Sequence, residues 1–108
     1  MIFAIVRIYP QMGREQSTLD LLESLKGPVA ATTDCLGCSV AVETGEGSTL
    51  SYLEQWRSRA ALERHMRSPL YGRLLEALEC SRLPPEIKFY EARGVGGLDL
   101  VEKVRLTH

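Results

Sequence analysis

One predicted strand and the helix after it combine residue types that could carry out chemistry. Alternation along the strand places Tyr52, Glu54 and Trp56 on one face. An aromatic face with a carboxylate in its middle is unusual for a plain core face. In the following helical segment, His65 is the side-chain type that titrates near neutral pH, so it is the natural candidate for a general base. Glu54 could orient His65 or hold it protonated.

Each of these residues also has a purely structural interpretation. A histidine on an apolar helix face is often half-buried and hydrogen-bonded to a backbone group or a carboxylate. Trp56, the only tryptophan, could be simple core, and Glu54 could pair with an arginine such as Arg64 or Arg7. Tyr71 could be a packing residue with its hydroxyl at the surface. Residue types alone therefore leave catalysis and structure both open.

Two of the three cysteines form a C-x-x-C pattern, Cys35-Leu36-Gly37-Cys38. Zinc would need four ligands, and no second C-x-x-C accompanies the other candidates, which are Cys80, His65 and His108. Redox pairs of the thioredoxin kind lie at the start of a helix, whereas Cys38 precedes strand-like residues. Metal binding and thiol chemistry at this pair therefore remain minor hypotheses, and the favoured interpretation is small apolar residues at a helix-to-strand corner.

Length and charge limit the classes of function that are open. The 108 residues, 12.1 kDa in mass, are enough for one domain, which we expect over residues 1–108. Lys and Arg number 13 and Asp and Glu 14, and this balance gives no sequence-independent affinity for a phosphate backbone, so nucleic acid is not an expected partner. No apolar run reaches about 18 residues and no basic segment precedes the first one. We therefore expect no membrane span, no signal peptide and a cytoplasmic location.

Apolar and β-branched stretches bounded by Gly and Pro predict strands. The predicted strands are Ile2 to Tyr9, Cys38 to Glu43, Thr49 to Arg57 and Glu86 to Ala92, with a fifth over Leu98 to Leu106. The Gly-rich residues 44–48 predict a turn that joins the second and third strands as a hairpin.

Leucines three or four residues apart predict helices. The predicted helices start at Gly13 and run over Arg59 to Arg67 and over Pro69 to about Ser81. Ser58 is predicted to cap the second helix, and Ser68 with Pro69 to open the third. Because proline lacks a backbone N–H, Gly27-Pro28 predicts a break near Gly27, with a separate turn to about Thr33.

The element order is therefore βαββαβ with an extra C-terminal strand. This order is typical of ferredoxin-like α+β folds, in which helices cover one face of an antiparallel sheet. The first predicted strand carries apolar residues on both faces, with Phe3 and Ile5 on one and Ile2, Ala4 and Val6 on the other. Because the face without helices also needs cover, we expect a homodimer in which a second sheet packs against it.

Glu54-Gln55-Trp56, followed by His65 and then by Ser68 three residues later, resembles the antibiotic biosynthesis monooxygenase (ABM) family. In that family, a strand ending in Glu-x-Trp precedes a helix with a His and a Ser that opens the next helix. Two shorter matches are Gly37-Cys38 and Pro84-Pro85. The resemblance covers about residues 2–94 and implies a dimeric α+β barrel.

Members of the family with known activity oxidise quinols and anthrone-like polyketides with dioxygen, without metal or flavin. The resemblance therefore implies a cofactor-independent monooxygenase for a small quinol or polycyclic phenol. It implies that His65 and Trp56 are catalytic and that Tyr52, Glu54 and Tyr71 bind the substrate. The phenol would lose its proton and transfer an electron to oxygen, and the two radicals would recombine in a small pocket beside Tyr52, Trp56 and His65.

Two departures from the family pattern narrow this expectation. A haem-degrading branch uses an Asn and an axial His, but this chain contains no Asn and has Leu75 where that His is expected. The polyketide-oxidising branch has an Asn four residues before the Trp, where this chain has Tyr52. The alternative function is a non-catalytic dimeric module on the same fold that binds a small ligand or is associated with stress.

Overall fold

Four strands and four helices make up the part of the chain that the computed structural model describes, residues 1–45 and 48–107. The strands are β1 (Ile2–Ile8), β2 (Cys35–Glu43), β3 (Thr49–Trp56) and β4 (Glu86–Glu91). The helices are α1 (Glu15–Ala30), α2 (Arg59–Met66), α3 (Pro69–Glu79) and α4 (Leu98–Leu106). Residues 46 and 47 of the predicted Gly-rich turn lie outside the described residues.

The strands form one antiparallel sheet in the order β2-β3-β1-β4. In the centre of the sheet, Ile5 of β1 lies opposite Leu53 of β3 on one side and Lys88 of β4 on the other. The predicted pairing of β2 with β3 is confirmed, with an irregularity between Cys35 and Gly37. This is the ferredoxin-like α+β fold that the sequence predicts.

Helices cover one face of the sheet, which we call the inner face. Burial there alternates along β1 and β3, because successive side chains of a strand point to opposite faces. The buried inward residues are Ile2, Ala4, Val6, Ile8, Leu50, Tyr52, Glu54 and Trp56. Leu22, Leu25 and Val29 of α1 and Leu74 and Ala77 of α3 complete the core. The opposite side of the sheet, which we call the outer face, carries Ile5 and Tyr90, both of which are exposed.

The predicted break in the first helix is wrong, since α1 continues through Gly27 and Pro28 to Ala30. Pro28 lies in the last turn, where its missing N–H removes a single helical bond. The backbone N–H of Ala31 still donates to the carbonyl of Gly27 at 3.0 Å. Val29 is buried in the core, and this packing outweighs the local preference of the Gly-Pro pair.

The predicted C-terminal fifth strand is also wrong, because Leu98 to Leu106 form the helix α4. Leu98, Val101 and Val104 recur every third residue, a spacing that fits one helix face better than the alternation of a strand. At the first turn the Asp99 carboxylate accepts the backbone N–H of Gly97 at 3.1 Å, which suits the positive end of a helix dipole. No residue of α4 is buried.

Of the two serines predicted to begin the helices around the site, one forms the expected cap and the other does not. Ser58 caps α2 as predicted, and its hydroxyl accepts the N–H of Ala61 at 3.2 Å. Ser68 precedes α3 as predicted, but its hydroxyl donates to the carbonyl of His65 at 2.7 Å and does not cap α3.

In the described part of the chain, no helix is both long enough and apolar enough to cross a bilayer.

Candidate functional site

The carboxylate of Glu54 is the centre of a buried polar cluster on the inner face of β3. Its Oε1 accepts the indole N–H of Trp56 at 2.9 Å, and its Oε2 accepts the hydroxyl of Tyr52 at 2.6 Å. These neighbours flank it because alternate residues of a strand share a face. Oε2 also lies 3.1 Å from Nε2 of His65, on α2. Glu54 is only 1% exposed, and hydrogen bonds within the protein take the place of water at both of its carboxylate oxygens.

These partners determine the charge of Glu54. Burial on its own would raise the pKa of this carboxyl group, because a charge is poorly solvated inside a protein. The hydrogen bonds from His65, Tyr52 and Trp56 outweigh burial and hold the pKa below its ordinary value. Glu54 is therefore ionised at neutral pH and acts only as an acceptor.

His65 reaches Glu54 because α2 presents one apolar face to the sheet. Ala61, Leu62 and His65 are its buried residues, at the spacing of one helix face. The imidazole centroid lies 4.6 Å from that of the Trp56 ring, at an interplanar angle of 31°. The second ring nitrogen of His65, Nδ1, is buried and has no hydrogen-bond partner among the described residues.

Tyr71, at the start of α3, completes the cluster. Its ring meets the imidazole of His65 edge-on, with centroids 5.2 Å apart. It is 8% exposed, more than any other member of the cluster. Burial and then the charge of Glu54 raise the pKa of both Tyr71 and Tyr52. Both phenols therefore stay protonated at neutral pH, and Tyr52 donates its hydrogen to Glu54.

The structure thus brings together all five residues that the sequence singled out. They are Tyr52, Glu54, Trp56, His65 and Tyr71. The alternative pairing of Glu54 with an arginine is wrong, since Arg64 binds Asp34 at 3.2 Å and Arg7 binds Glu43 and Glu86. The catalytic and binding roles of the five remain predictions.

Sequence reasoning missed Cys38 as a neighbour of this cluster. β2 begins at Cys35, three residues earlier than predicted, so that both cysteines lie on the strand and Cys38 pairs with Glu54 across the ladder. The register of the predicted hairpin was the signal that could have found it. Burial raises the pKa of Cys35, and it raises that of Cys38 to about 11 against the hydrogen bond with Tyr52. Since the thiolate is the reactive form, this disfavours thiol chemistry at neutral pH.

The five side chains fill the space between the sheet and the helices in which we expected a small pocket. Two open clefts of the described chain lie elsewhere. One, of about 200 Å³, is on the outer face and is lined by Ile5, Arg7, Glu86, Lys88 and Tyr90. The other, of about 410 Å³, is lined by Pro10, Met12, Glu15, Ser48 and Arg82. Neither cleft touches the cluster, and all five of its side chains are buried, so a ligand of His65 must first displace one of its neighbours.

No metal centre is formed by the described residues, since no three His, Cys, Asp or Glu side chains come together among them. His108, one of the residues considered for zinc, lies outside them.

Solved structures with the same fold come from several organisms. Rv0793 from Mycobacterium tuberculosis is 24% identical, with a TM-score of 0.77 over 89% of this chain and 98% of its own. A candidate antibiotic biosynthesis monooxygenase from Deinococcus radiodurans is 17% identical, with a TM-score of 0.80 over 90% of this chain and 97% of its own. PA3566 from Pseudomonas aeruginosa is 24% identical, with a TM-score of 0.73 over 86% of this chain and 94% of its own. At these identities the likeness shows the fold.

The sequence itself provides the evidence for a family. No curated protein sequence matches the chain. The model of the family named antibiotic biosynthesis monooxygenase matches residues 1–77, which include all five residues of the cluster. The chain therefore belongs to the ABM family.

Proposed function

We propose that this protein is a cofactor-independent monooxygenase that oxidises a small quinol or polycyclic phenol with dioxygen. The observation that carries the proposal is the buried pair of Glu54 and His65, 3.1 Å apart inside a shell of aromatic rings. Membership of the ABM family supports the reaction class.

A buried carboxylate and imidazole are costly for a small domain, because both lose hydration. Ionisable groups that are perturbed by burial and by a specific partner tend to mark functional sites. The cluster offers a base of the type that works near neutral pH, rings that can stack on an aromatic substrate, and exclusion of bulk water. We assign catalytic roles to His65 and Trp56 and substrate contacts to Tyr52 and Tyr71. Glu54, which the resemblance placed among the substrate contacts, has both oxygens bonded inside the cluster and is assigned the role of orienting His65.

The proposed reaction needs no reductant other than the substrate. For a benzene-1,4-diol, His65 takes one phenolic proton, and the phenolate transfers an electron to dioxygen. The resulting radicals recombine to form a carbon–oxygen bond on the ring. One oxygen atom stays in the product as a hydroxyquinone, and the other leaves as water with two hydrogens from the substrate. The quinol therefore supplies both hydrogens of the water and the two electrons that reduce this oxygen atom to water.

We further propose that the protein acts as a homodimer, with the outer faces of two sheets packed together. Two large hydrophobic residues are exposed on this face, Ile5 at 39% and Tyr90 at 48%. Exposed apolar patches of this kind commonly mark association surfaces. A monomeric mass in size-exclusion chromatography with light scattering would contradict this part of the proposal.

Oxygen uptake with a panel of hydroquinones and polycyclic phenols tests the proposed activity. We expect at least one compound to raise uptake above its own autoxidation, without accumulation of hydrogen peroxide. His65→Gln and Glu54→Gln should lose this activity. Glu63→Gln, which changes a half-exposed carboxylate of α2, should keep it. Uptake at the autoxidation rate with every compound would contradict the proposal.

The alternative, a ligand-binding module without turnover, is favoured by one observation. Tyr52 stands where the polyketide-oxidising branch of the family has an Asn, and its hydroxyl is already bonded to Glu54 at 2.6 Å. This function predicts that a small aromatic ligand quenches the fluorescence of Trp56 while oxygen is not consumed. The two functions are distinguished by running both measurements on the same compounds.

A further inference from the structure

The hydrogen on the imidazole of His65 can be placed from its partner. Nε2 lies 3.1 Å from Oε2 of Glu54, and an ionised carboxylate can only accept hydrogen bonds. Nε2 must therefore carry the hydrogen of this contact. The same oxygen accepts the hydroxyl of Tyr52, so the orientation of the carboxylate is fixed from a second direction.

The other nitrogen, Nδ1, is the unusual atom. In a neutral ring with hydrogen on Nε2, Nδ1 is a bare lone pair and accepts a hydrogen bond. It is buried and has no partner among the described residues, whereas buried polar atoms in proteins nearly always have one. An acceptor left free inside an aromatic shell is complementary to one kind of ligand atom, an O–H or N–H donor on a flat apolar molecule.

We propose that Nδ1 of His65 is the atom that receives the phenolic proton of the substrate, and that Glu54 is a positioning residue that keeps the hydrogen on Nε2. This inference rests on the proposed function and adds which nitrogen reacts and what fixes it. The substrate class that it implies is a phenol whose hydroxyl is free to donate, so an aryl ether of the same shape should not be bound at this atom.

The proton transfer balances within the pair. The phenolic O–H bond breaks, an N–H bond forms at Nδ1, and the electron pair stays on the phenolate oxygen, which becomes the electron donor to dioxygen. The imidazolium that forms already has a carboxylate at 3.1 Å and an indole ring with its centroid at 4.6 Å. An anion and an electron-rich ring both stabilise a cation, so the new charge is formed where it is best accommodated.

Access to Nδ1 requires a neighbour to move, and Tyr71 is the one that can do so with least disruption. It is the most exposed member of the cluster, and it packs edge-on against His65 at the first turn of α3. The other ring beside the imidazole, Trp56, is fully buried and bonded to Glu54. We therefore expect the substrate ring to enter on the Tyr71 side.

Nitrogen-15 NMR of the histidine rings in the full chain tests the assignment without turnover. In the wild type we expect protonated Nε2 and bare Nδ1 for His65. Addition of 4-fluorophenol, which has one hydroxyl, should shift Nδ1 more than Nε2, and 4-fluoroanisole should shift neither. Glu54→Gln should give a mixture of the two tautomers and a weaker response to the phenol, while Glu63→Gln should match the wild type.

Hydrogen on Nδ1 in the wild type would overturn the inference, as would a phenol that leaves Nδ1 unmoved or a Glu54→Gln variant that keeps both signatures. Oxygen uptake separates this outcome from the failure of the proposed function. If 4-fluorophenol shifts Nδ1 but no quinol is oxidised, the function fails and the acceptor assignment stands. If a quinol is oxidised while Nδ1 does not respond, the assignment fails and the function stands.

Discussion

The two faces of the sheet differ in which side chains they bury: the inner face buries a charged residue, and the outer face exposes large apolar ones. On the inner face, the most polar residue, Glu54, is sealed in the core with both oxygens bonded. On the outer face, Ile5 and Tyr90 are open, and the polar groups form a half-exposed network in which Arg7 binds Glu43 and Glu86. The inner face therefore encloses a charged group whose oxygens are both bonded, whereas the outer face leaves apolar side chains exposed.

The helix α4 resembles the outer face in that its apolar side chains are exposed. Its apolar residues Leu98, Val101 and Val104 are all more than half exposed, and none of its residues is buried. A helix of nine residues is marginal in water on its own, so its stability has to come from packing. We expect α4 to gain that packing in the assembled protein, together with the outer face.

The largest effect is expected where the inner face is most polar. Glu54→Ala removes the acceptor for three buried donors, those of Tyr52, Trp56 and His65. Loss of one partner of a buried pair costs about 3 to 5 kcal/mol, and we expect that loss in the free energy of unfolding measured with urea. Glu63→Ala, at a half-exposed carboxylate of α2, should change it by less than about 0.5 kcal/mol. Equal urea midpoints for the two variants would show that the cluster does not hold the core together.

A smaller effect is expected from one hydroxyl, and it can be compared between the faces. Tyr52→Phe keeps the ring and removes the hydrogen bond to Glu54, which should cost about 1.5 to 3 kcal/mol because the acceptor is charged. Tyr90→Phe on the outer face removes an exposed hydroxyl and should stay within about 0.5 kcal/mol of the wild type. Thermal or urea unfolding measures both, and similar losses in the two variants would remove the contrast between the faces.

On the outer face we expect an effect on association and little on folding. Ile5→Lys places a charge in the proposed dimer interface and removes an apolar contact worth about 1.5 to 3 kcal/mol when buried. The dimer dissociation constant, measured by analytical ultracentrifugation, should rise at least about tenfold. Leu75→Lys, which adds the same charge at a 47% exposed leucine of α3 on the helix side of the sheet, serves as the matched control and should leave the constant unchanged. An unchanged dissociation constant for Ile5→Lys would place the interface elsewhere.

The smallest effect is a dependence of stability on acid pH. The pKa of Glu54 is lower in the folded chain than in the unfolded one, so its contribution is complete above the unfolded pKa near 4.5 and is lost as the pH falls through the folded value. One proton limits the slope to about 1.4 kcal/mol per pH unit. The difference in unfolding free energy between the wild type and Glu54→Gln should be constant near neutral pH and shrink in acid. A difference that grows in acid would reverse the assigned charge state.

The sequence predicted the site better than it predicted the ends of the chain. Alternation along β3 and helical spacing along α2 are strong signals, and they placed Tyr52, Glu54, Trp56 and His65 on facing surfaces. The break predicted at Gly27-Pro28 does not occur, because burial of the neighbouring Val29 outweighs the local preference of this pair to end a helix. In α4, the spacing of Leu98, Val101 and Val104 favours a helix, and the strand prediction was wrong because it relied on the β-branched residues and overlooked this period. The partners of Glu54 could not be chosen from sequence, because Arg7 and Arg64 were equally available until the sheet register placed them at other carboxylates.

The central claim, that the pair of Glu54 and His65 supports insertion of oxygen into a phenol, is tested most directly by oxidation under oxygen-18 gas. Mass spectrometry of the product formed from the best quinol of the panel should show one labelled oxygen atom per molecule with the wild type. With His65→Gln, the rate should fall about 100-fold or more, as expected on loss of a general base. A product without the label, or a labelled product formed by His65→Gln at the wild-type rate, would contradict the account.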